Sequence, residues 1–214
     1  MTVELRPGPL PSDVKPLPAG PITYEEFLEW ADEDTCAEWV GGEVELMSPA
    51  SVPHQDLSLF LARVLAEYTE THQSGKVLAA PFQMRLGDVQ RGREPDILFI
   101  ADNHLDRLRR NYLEGAADLV VEIVSPESVL RDRGTKYGEY EVGGVREYWV
   151  LDPETSRADF FVLDHSGRYQ RSQPDAAGLY YSAVIPGFWI NVGWLWQGPL
   201  PTLRQVLTEW EKSV

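Results

Sequence analysis

The chain has a single cysteine, Cys36, among its 214 residues. That excludes an intramolecular disulfide and any cysteine-based zinc cluster. A small packed side chain is the simpler reading of Cys36 than a catalytic thiol. The four histidines, His54, His72, His104 and His165, show no His-x-x-x-His or similar spacing, which argues against histidine-rich zinc chemistry. No stretch approaches the roughly 20 apolar residues of a membrane span. The N-terminus lacks a charged-then-apolar signal pattern. A reducing cytoplasm and no membrane association fit these absences. Basic residues are scarce too: 19 Lys and Arg face 34 Asp and Glu, a formal net charge of -15. A surface coated for nucleic acid is not expected from that total.

The distribution of charge softens the objection. Residues 1–84 hold 14 acids and 4 bases, and residues 137–214 hold 10 acids and 6 bases. Residues 85–136 hold 10 acids and 9 bases: Arg85, Arg91, Arg93, Arg107, Arg109, Arg110, Arg131, Arg133 and Lys136. A locally basic rim on an acidic body is able to meet phosphates. Ordinary solvated surface charge explains it equally well.

Six prolines within residues 1–21 predict an extended, flexible arm, leaving 22–214 as a single domain. Thr23 with Glu26 forms a capping-box signature for a short helix through about Trp30. Two strand-like runs around Gly41-Gly42 predict a hairpin. From His54 to about His72, apolar residues recur at helical spacing. Val77 to Leu86 reads as one strand, 87–94 as a polar loop, and 95–101 as a strand. Residues 102–116 read as a loop or short helix, and 118–124 as a strand. Ser125-Pro126 is N-cap chemistry for a helix to about Val142, ended by Gly143-Gly144. A strand over 146–151, a hairpin over 158–172 and a last helix over 201–212 follow. The middle therefore runs helix–strand–strand–strand–helix–strand, an α/β (α+β) chain with a mixed sheet and added β-hairpins.

Two of those strands each carry a carboxylate where an aliphatic residue is expected: Asp96, after Pro95, and Glu122, within Asp118-Leu-Val-Val-Glu-Ile-Val. A lone ionised carboxylate is costly to bury. Two on neighbouring strands suggest a shared cation. Period-two alternation puts Val120, Glu122 and Val124 on one face. If the strands are neighbours, Asp96 and Glu122 can converge on one hard divalent ion such as Mg²⁺. That ion would orient a phosphodiester and lower the pKa of a bound water. A lysine would complete such a site, but the position two residues after Glu122 is Val124. Lys136, on the following helix, is long enough to reach the same point. On spacing alone, a surface ion pair with Asp132 at i,i-4 is the simpler reading of Lys136.

These residues resemble the PD-(D/E)XK nuclease superfamily and, more closely, the Uma2 family of restriction-endonuclease-like proteins. The resemblance covers roughly residues 22–195. It rests on an ordered set: Thr23-Tyr-Glu-Glu-Phe; Glu38-Trp-Val-Gly-Gly-Glu43; Met47-Ser-Pro with His54; Glu94-Pro-Asp96; Val121-Glu122-Ile-Val-Ser125-Pro126; Asp132 with Lys136-Tyr137; and Gly144-Val-Arg-Glu-Tyr-Trp-Val-Leu-Asp152-Pro. It implies a restriction-endonuclease-like αβββαβ core and a metal-dependent endonuclease acting on nucleic acid, with double-stranded DNA as the expected substrate. It maps the metal-binding acids onto Asp96 and Glu122, with Mg²⁺ the expected ion and Mn²⁺ a substitute. It also moves the lysine from strand to helix, making Lys136 the candidate. Glu38 resembles the extra N-terminal acid of many such nucleases, although an exposed hairpin carboxylate is an equal reading.

Lesser residues have plainer explanations. Gln83 faces away from Phe82 and Met84, where it could line the pocket, although a solvated strand face is the simpler reading. His54 opens a helix, where it serves a phosphate or a structural hydrogen bond. Asp152-Pro153 is good turn chemistry. Trp149, Trp189, Trp194 and Trp196 are expected in core or interface rather than as base-stacking platforms, and they would support a homodimer. Two further readings remain open. One is an inactive nuclease fold that binds nucleic acid or protein. The other is a structural domain whose acids pair with Arg93 or Arg131.

Overall fold

A computed structural model describes residues 15–32, 35–125, 128 and 131–212. Most of the expected arm (1–14) and Pro126, the expected first helical position, lie outside the described residues.

Thr23 caps α1 (Tyr24–Trp30) with the full capping box, its hydroxyl accepting from Glu26 N–H and its own N–H donating to the Glu26 carboxylate. Lys15 and Pro16 are tied to the end of this helix, Trp30 Nε1 donating to the Pro16 carbonyl at 3.1 Å and Lys15 Nζ to Asp32 at 3.2 Å. The hairpin β1 (Ala37–Val40) and β2 (Glu43–Leu46) turns through Gly41 and Gly42 at φ of +58° and +103°, where a side chain would be strained. Ser51 caps α2 (Val52–Thr71), which buries Leu57, Phe60, Leu61, Val64 and Leu65 on one face, as the spacing requires.

The run expected as a single strand over 77–86 is two strands in two different sheets. β3 (Gly75–Ala79) and β4 (Gln83–Leu86) part at Ala80-Pro81, where proline has no N–H for a ladder. The stretch 87–94, expected as a loop, contains β5 (Arg91–Arg93). β6 (Ile97–Ala101) follows. Residues 102–107 make the expected helical turn, and β7 (Tyr112–Glu114) comes after it. β8 (Leu119–Ile123) leads to a π-helical turn, Arg131–Thr135, that runs into α3 (Lys136–Gly143). Gly144, at φ +86°, closes α3. The chain ends through β9 (Glu147–Asp152), β10 (Arg157–Leu163), β11 (Tyr169–Ser172), β12 (Leu179–Tyr181), β13 (Trp189–Asn191) and α4 (Leu203–Lys212).

The larger sheet has the order β11-β10-β9-β8-β6-β3, mixed, with β8 and β9 parallel. Taken in chain order, α2, β3, β6, β8, α3 and β9 are the expected αβββαβ core. A second sheet, β2-β1-β5-β4-β7, is built from the hairpin and the insertions between core strands. One face of the larger sheet, with Phe99, Val121 and Ile123, packs on α2 and the C-terminal segment. The opposite face, with Leu98, Val120, Val124 and Val150, meets Met84 and Leu86 of the second sheet and Tyr140 of α3. Among the described residues no helix is long and apolar enough to cross a membrane.

Candidate active site

Alternation along β8 determines where Glu122 goes. Val120 and Val124 belong to the core between the two sheets, so Glu122 on the same face points into that layer, 4% exposed. β6 pairs antiparallel with β8 through Ile97 opposite Val121. One step further along that register, Asp96 stands opposite Glu122. Asp96 Oδ2 accepts the N–H of Ile123 at 2.6 Å, beyond the end of the paired ladder. Its Oδ1 lies 3.2 Å from His54 Nε2, at the start of α2. The hydrogen bond to Asp96 raises the pKa of His54 above the usual imidazole value, against the effect of burial. His54 therefore has the structural hydrogen bond expected as one of its two roles.

Lys136 reaches this point from α3. Its Nζ lies 2.9 Å from Glu122 Oε1, 3.1 Å from Glu38 Oε1 and 3.6 Å from Asp132 Oδ1, and the residue is 1% exposed. The i,i-4 pair with Asp132 exists, but it is buried, not on the helix surface. Burial works against the ammonium, yet the three carboxylates hold the Lys136 pKa above its ordinary value. Tyr140, one turn further along α3, donates its hydroxyl to the same Glu122 oxygen at 2.6 Å. Burial pushes Glu122 up to about 8; Lys136 opposes the rise, while Asp132, Asp96 and Glu38 add to it. One ammonium shared among three acids leaves Glu122 with a strong hold on its proton.

Glu38 is fully buried, not an exposed hairpin carboxylate. Its Oε2 accepts from Arg93 Nη1 at 2.7 Å, and its Oε1 also accepts the N–H of Glu94 at 3.2 Å. Burial would raise its pKa, but Lys136 and Arg93 hold it down at about 2. Arg93 pairs as well with Glu139 of α3, and Arg131 lies near Asp132. Neither arginine is the partner of Asp96 or Glu122, which removes the arrangement on which the purely structural reading depended.

Gln83 corrects the sequence expectation. It does face away from Met84, but the other face is not solvated: the residue is 8% exposed. Its amide donates to the Ala37 carbonyl at 2.9 Å and to Glu94 Oε2 at 3.0 Å. Burial pushes Glu94 up to about 7, with Gln83 opposing the rise. Glu94, Tyr140, Glu139 and Asp132 are site residues that strand alternation alone does not reveal. Helical spacing offers a signal for three of them: Asp132, Glu139 and Tyr140 stand at i-4, i+3 and i+4 from Lys136.

The basic rim is largely neutralised. Arg85, Arg91, Arg93, Arg107, Arg131, Arg133 and Lys136 each lie within 4 Å of a carboxylate. Arg109 is turned onto the backbone carbonyls of Asp106 and Leu108. The tryptophans go to the interior or its edge: Trp149 is fully buried, and Trp194, Trp196 and Trp210 pack against the α2-side core. Asp152 accepts the Thr155 N–H at 3.1 Å, in keeping with turn chemistry.

The donor set around Glu122 is made of oxygen. The Oδ1 of Asp132 is buried without a hydrogen-bond partner. Among the described residues, the cationic groups near Glu94, Asp96, Glu122 and Asp132 are Lys136, His54 and, 3.9 Å from Asp132, Arg131, while Arg93 is taken up by Glu38 and Glu139. An excess of buried carboxylate and an orphaned oxygen fit a hard cation. Among the described residues, no three His, Cys, Asp or Glu side chains already stand together as a ligand set. The pair Asp96 and Glu122 is accordingly the unit to consider.

The Uma2 family model, described as "Putative restriction endonuclease", matches residues 24–193. Among solved structures, a nuclease of the DUF820 family from Anabaena variabilis, titled "putative", superposes with a TM-score of 0.68 at 17% identity. The match covers 82% of this chain and 97% of that one, and it speaks to the fold. The type IIG restriction endonuclease BpuSI matches at a TM-score of 0.31 and 15% identity, over 53% of this chain and 12% of that one, too slight to carry an argument. No curated protein matches the chain.

Proposed function

The chain belongs to the Uma2 family, and on that premise we propose that it is a metal-dependent endonuclease hydrolysing phosphodiester bonds of nucleic acid, with duplex DNA as substrate. The observation that carries the reading is the arrival of Lys136 at Glu122 from a helix, at 2.9 Å, while the strand position beside Glu122 holds Val124. Glu122 and the ammonium thus meet although they come from separate elements, and Asp96 stands opposite Glu122 on the neighbouring chain segment.

Asp96 and Glu122 would hold the ion, Mg²⁺ or in its place Mn²⁺. Such an ion supplies an acidified water and neutralises charge building on phosphorus. The remaining roles belong to the protein. Lys136 presents an ammonium to the attacking water or to the developing negative charge. Glu38 keeps that ammonium in place. Tyr140 orients Glu122, and His54 orients Asp96. Cutting both strands of a duplex calls for two such centres, so a homodimer is part of the proposal.

The test is cleavage of duplex DNA by the purified protein with Mg²⁺ or Mn²⁺. Asp96→Ala and Glu122→Ala should abolish it while the protein stays folded. Equal cleavage by wild type and variants would sink the reading. A second reading, a nuclease fold that only binds nucleic acid or a partner protein, is favoured by the enclosure of Lys136 and Glu122, 1% and 4% exposed. Calorimetry with Mn²⁺ separates the two: tight, carboxylate-dependent binding counts against the inactive form.

A further inference from the structure

We propose that Arg93 is a positioning residue that sets Lys136 against Glu122. The inference rests on the reading of this cluster as a nuclease centre, and its test is separable from that reading.

Arg93 lies on β5 of the second sheet, outside the αβββαβ core, and is 1% exposed. A guanidinium so deeply buried must be paired on all sides. Its Nη1 donates to Glu38 Oε2 at 2.7 Å. Its Nε and Nη2 grip Glu139 as a fork, Nε to Oε2 at 2.8 Å and Nη2 to Oε1 at 3.0 Å. Both acids lead to Lys136. Glu38 gives its other oxygen to the Lys136 ammonium at 3.1 Å. Glu139 is three residues beyond Lys136 on the same face of α3. Arg93 therefore reaches Lys136 by two routes, through the acid that receives its charge and through the next turn of its helix.

This arrangement answers a problem that the helical lysine creates. A strand lysine is aimed by the pleat, whereas a four-carbon side chain on a helix has many rotamers to lose. The fork on Glu139, joined by Arg91 of the same strand at 2.5 Å from Oε1, sets the rotation of α3 against the second sheet, and Arg93 alone carries that hold on to Glu38. Glu38, shared between Arg93 and Lys136, draws the ammonium only partly, leaving it in contact with Glu122. Without Arg93, Glu38 has Lys136 as its remaining cation, and the ammonium moves away from Glu122. Lysine in place of Arg93 keeps the charge but has no planar fork for two acids at once.

The chain has only four lysines, Lys15, Lys76, Lys136 and Lys212, and the other three are exposed. A spectrum of protein labelled with ¹³C at lysine Cε therefore isolates Lys136, assigned by loss of its signal in Lys136→Arg. In Arg93→Met and Arg93→Lys the Lys136 signal should shift and its ammonium protons exchange faster, with the other three signals unmoved. In the same variants kcat should fall by about 10²-fold with KM for DNA unchanged, the loss expected from a misplacement of roughly 1 Å. If neither variant folds, Glu139→Gln, which keeps the shape but weakens the fork, should shift the Lys136 signal in the same sense. A folded variant whose Lys136 signal superimposes on the wild type overturns the proposal, as does full cleavage by Arg93→Lys. A shifted signal in a protein whose wild type never cleaves DNA sustains the positioning role and removes the nuclease reading instead.

Discussion

The carboxylate of Asp96 accepts the backbone N–H of Ile123 at 2.6 Å, so the acid just ahead of β6 is fastened to the residue that follows Glu122 on β8. The bond replaces a rung of the ladder with a side chain, and it joins the position of one proposed metal acid to that of the other. Asparagine at 96 keeps a carbonyl acceptor for this N–H, and alanine does not.

Asp96→Asn should accordingly lose binding of Mn²⁺ by calorimetry while its denaturant midpoint stays near wild type. Asp96→Ala should lose binding and also about 1–3 kcal/mol of stability, the cost of a buried N–H left without an acceptor. Urea unfolding of the two variants side by side measures the difference.

Glu122 titrates at about 8 in the folded protein against 4.5 for an ordinary glutamate. The folded state binds that proton more tightly, so the stabilisation is complete below pH 4.5 and is lost as the pH rises to 8. Glu94, raised to about 7, acts in the same direction. Glu38, held at about 2, acts in the opposite one: its contribution is present above pH 4.5 and lost on acidification towards 2. Prepared with chelator, the protein should melt at progressively lower temperature from pH 5 to pH 8, by about 2–4 °C for each kcal/mol lost. Glu122→Gln should flatten the slope. A melting curve independent of pH over this range would contradict the assignment.

Lys136 serves three acids, so removing it leaves buried charge without a partner. Lys136→Met should cost about 3–5 kcal/mol. Adding Glu38→Gln should recover part of that loss, because Glu38, held at about 2, is one of the stranded carboxylates and is then neutral. The double-mutant cycle, read by chemical unfolding, reports the coupling directly. Additive losses would mean that the 3.1 Å contact carries no net energy.

Asp118 gives a control within the same strand pair. It is 1% exposed, accepts the Ala101 N–H at 2.8 Å, and meets His104 at 2.9 Å and Arg146 at 3.3 Å. Asp118→Ala should destabilise by about 3–5 kcal/mol through stranded polar groups. Affinity for Mn²⁺ should stay within about twofold, since additivity holds for sites that share no partners. Loss of metal binding in a folded Asp118→Ala would show that the two clusters are coupled.

Local chemistry was legible in the sequence wherever it acts over a few residues. Thr23 and Glu26 satisfy each other across one helical turn, and the face of Glu122 follows from the pleat alone. Of the second sheet, the hairpin and the residues of β4 were legible as strands, while β5 and β7, three residues each and polar or charged, were not. Arg91 and Arg93 read as loop residues until Glu139, 46 positions beyond Arg93, supplies their counter-charge. Gln83 was placed on the right side of its strand, but the content of that side depends on Ala37 and Glu94, which no local pattern reports. The same holds for Lys136. Spacing correctly pairs it with Asp132, and only the packing of α3 between the sheets turns a surface pair into a buried one.

The division of Glu38 between Arg93 and Lys136 has a consequence for how the protein would be re-engineered. Glu38 sits on a two-stranded hairpin ahead of α2, outside the αβββαβ core, and brings a carboxylate to Lys136 without being part of that core's scaffold. A graft that exchanges this hairpin alone would reset the leash on the lysine while leaving Asp96, Glu122 and Lys136 on their original elements. The hairpin would then serve as an interchangeable dial, with position 38 where it is turned.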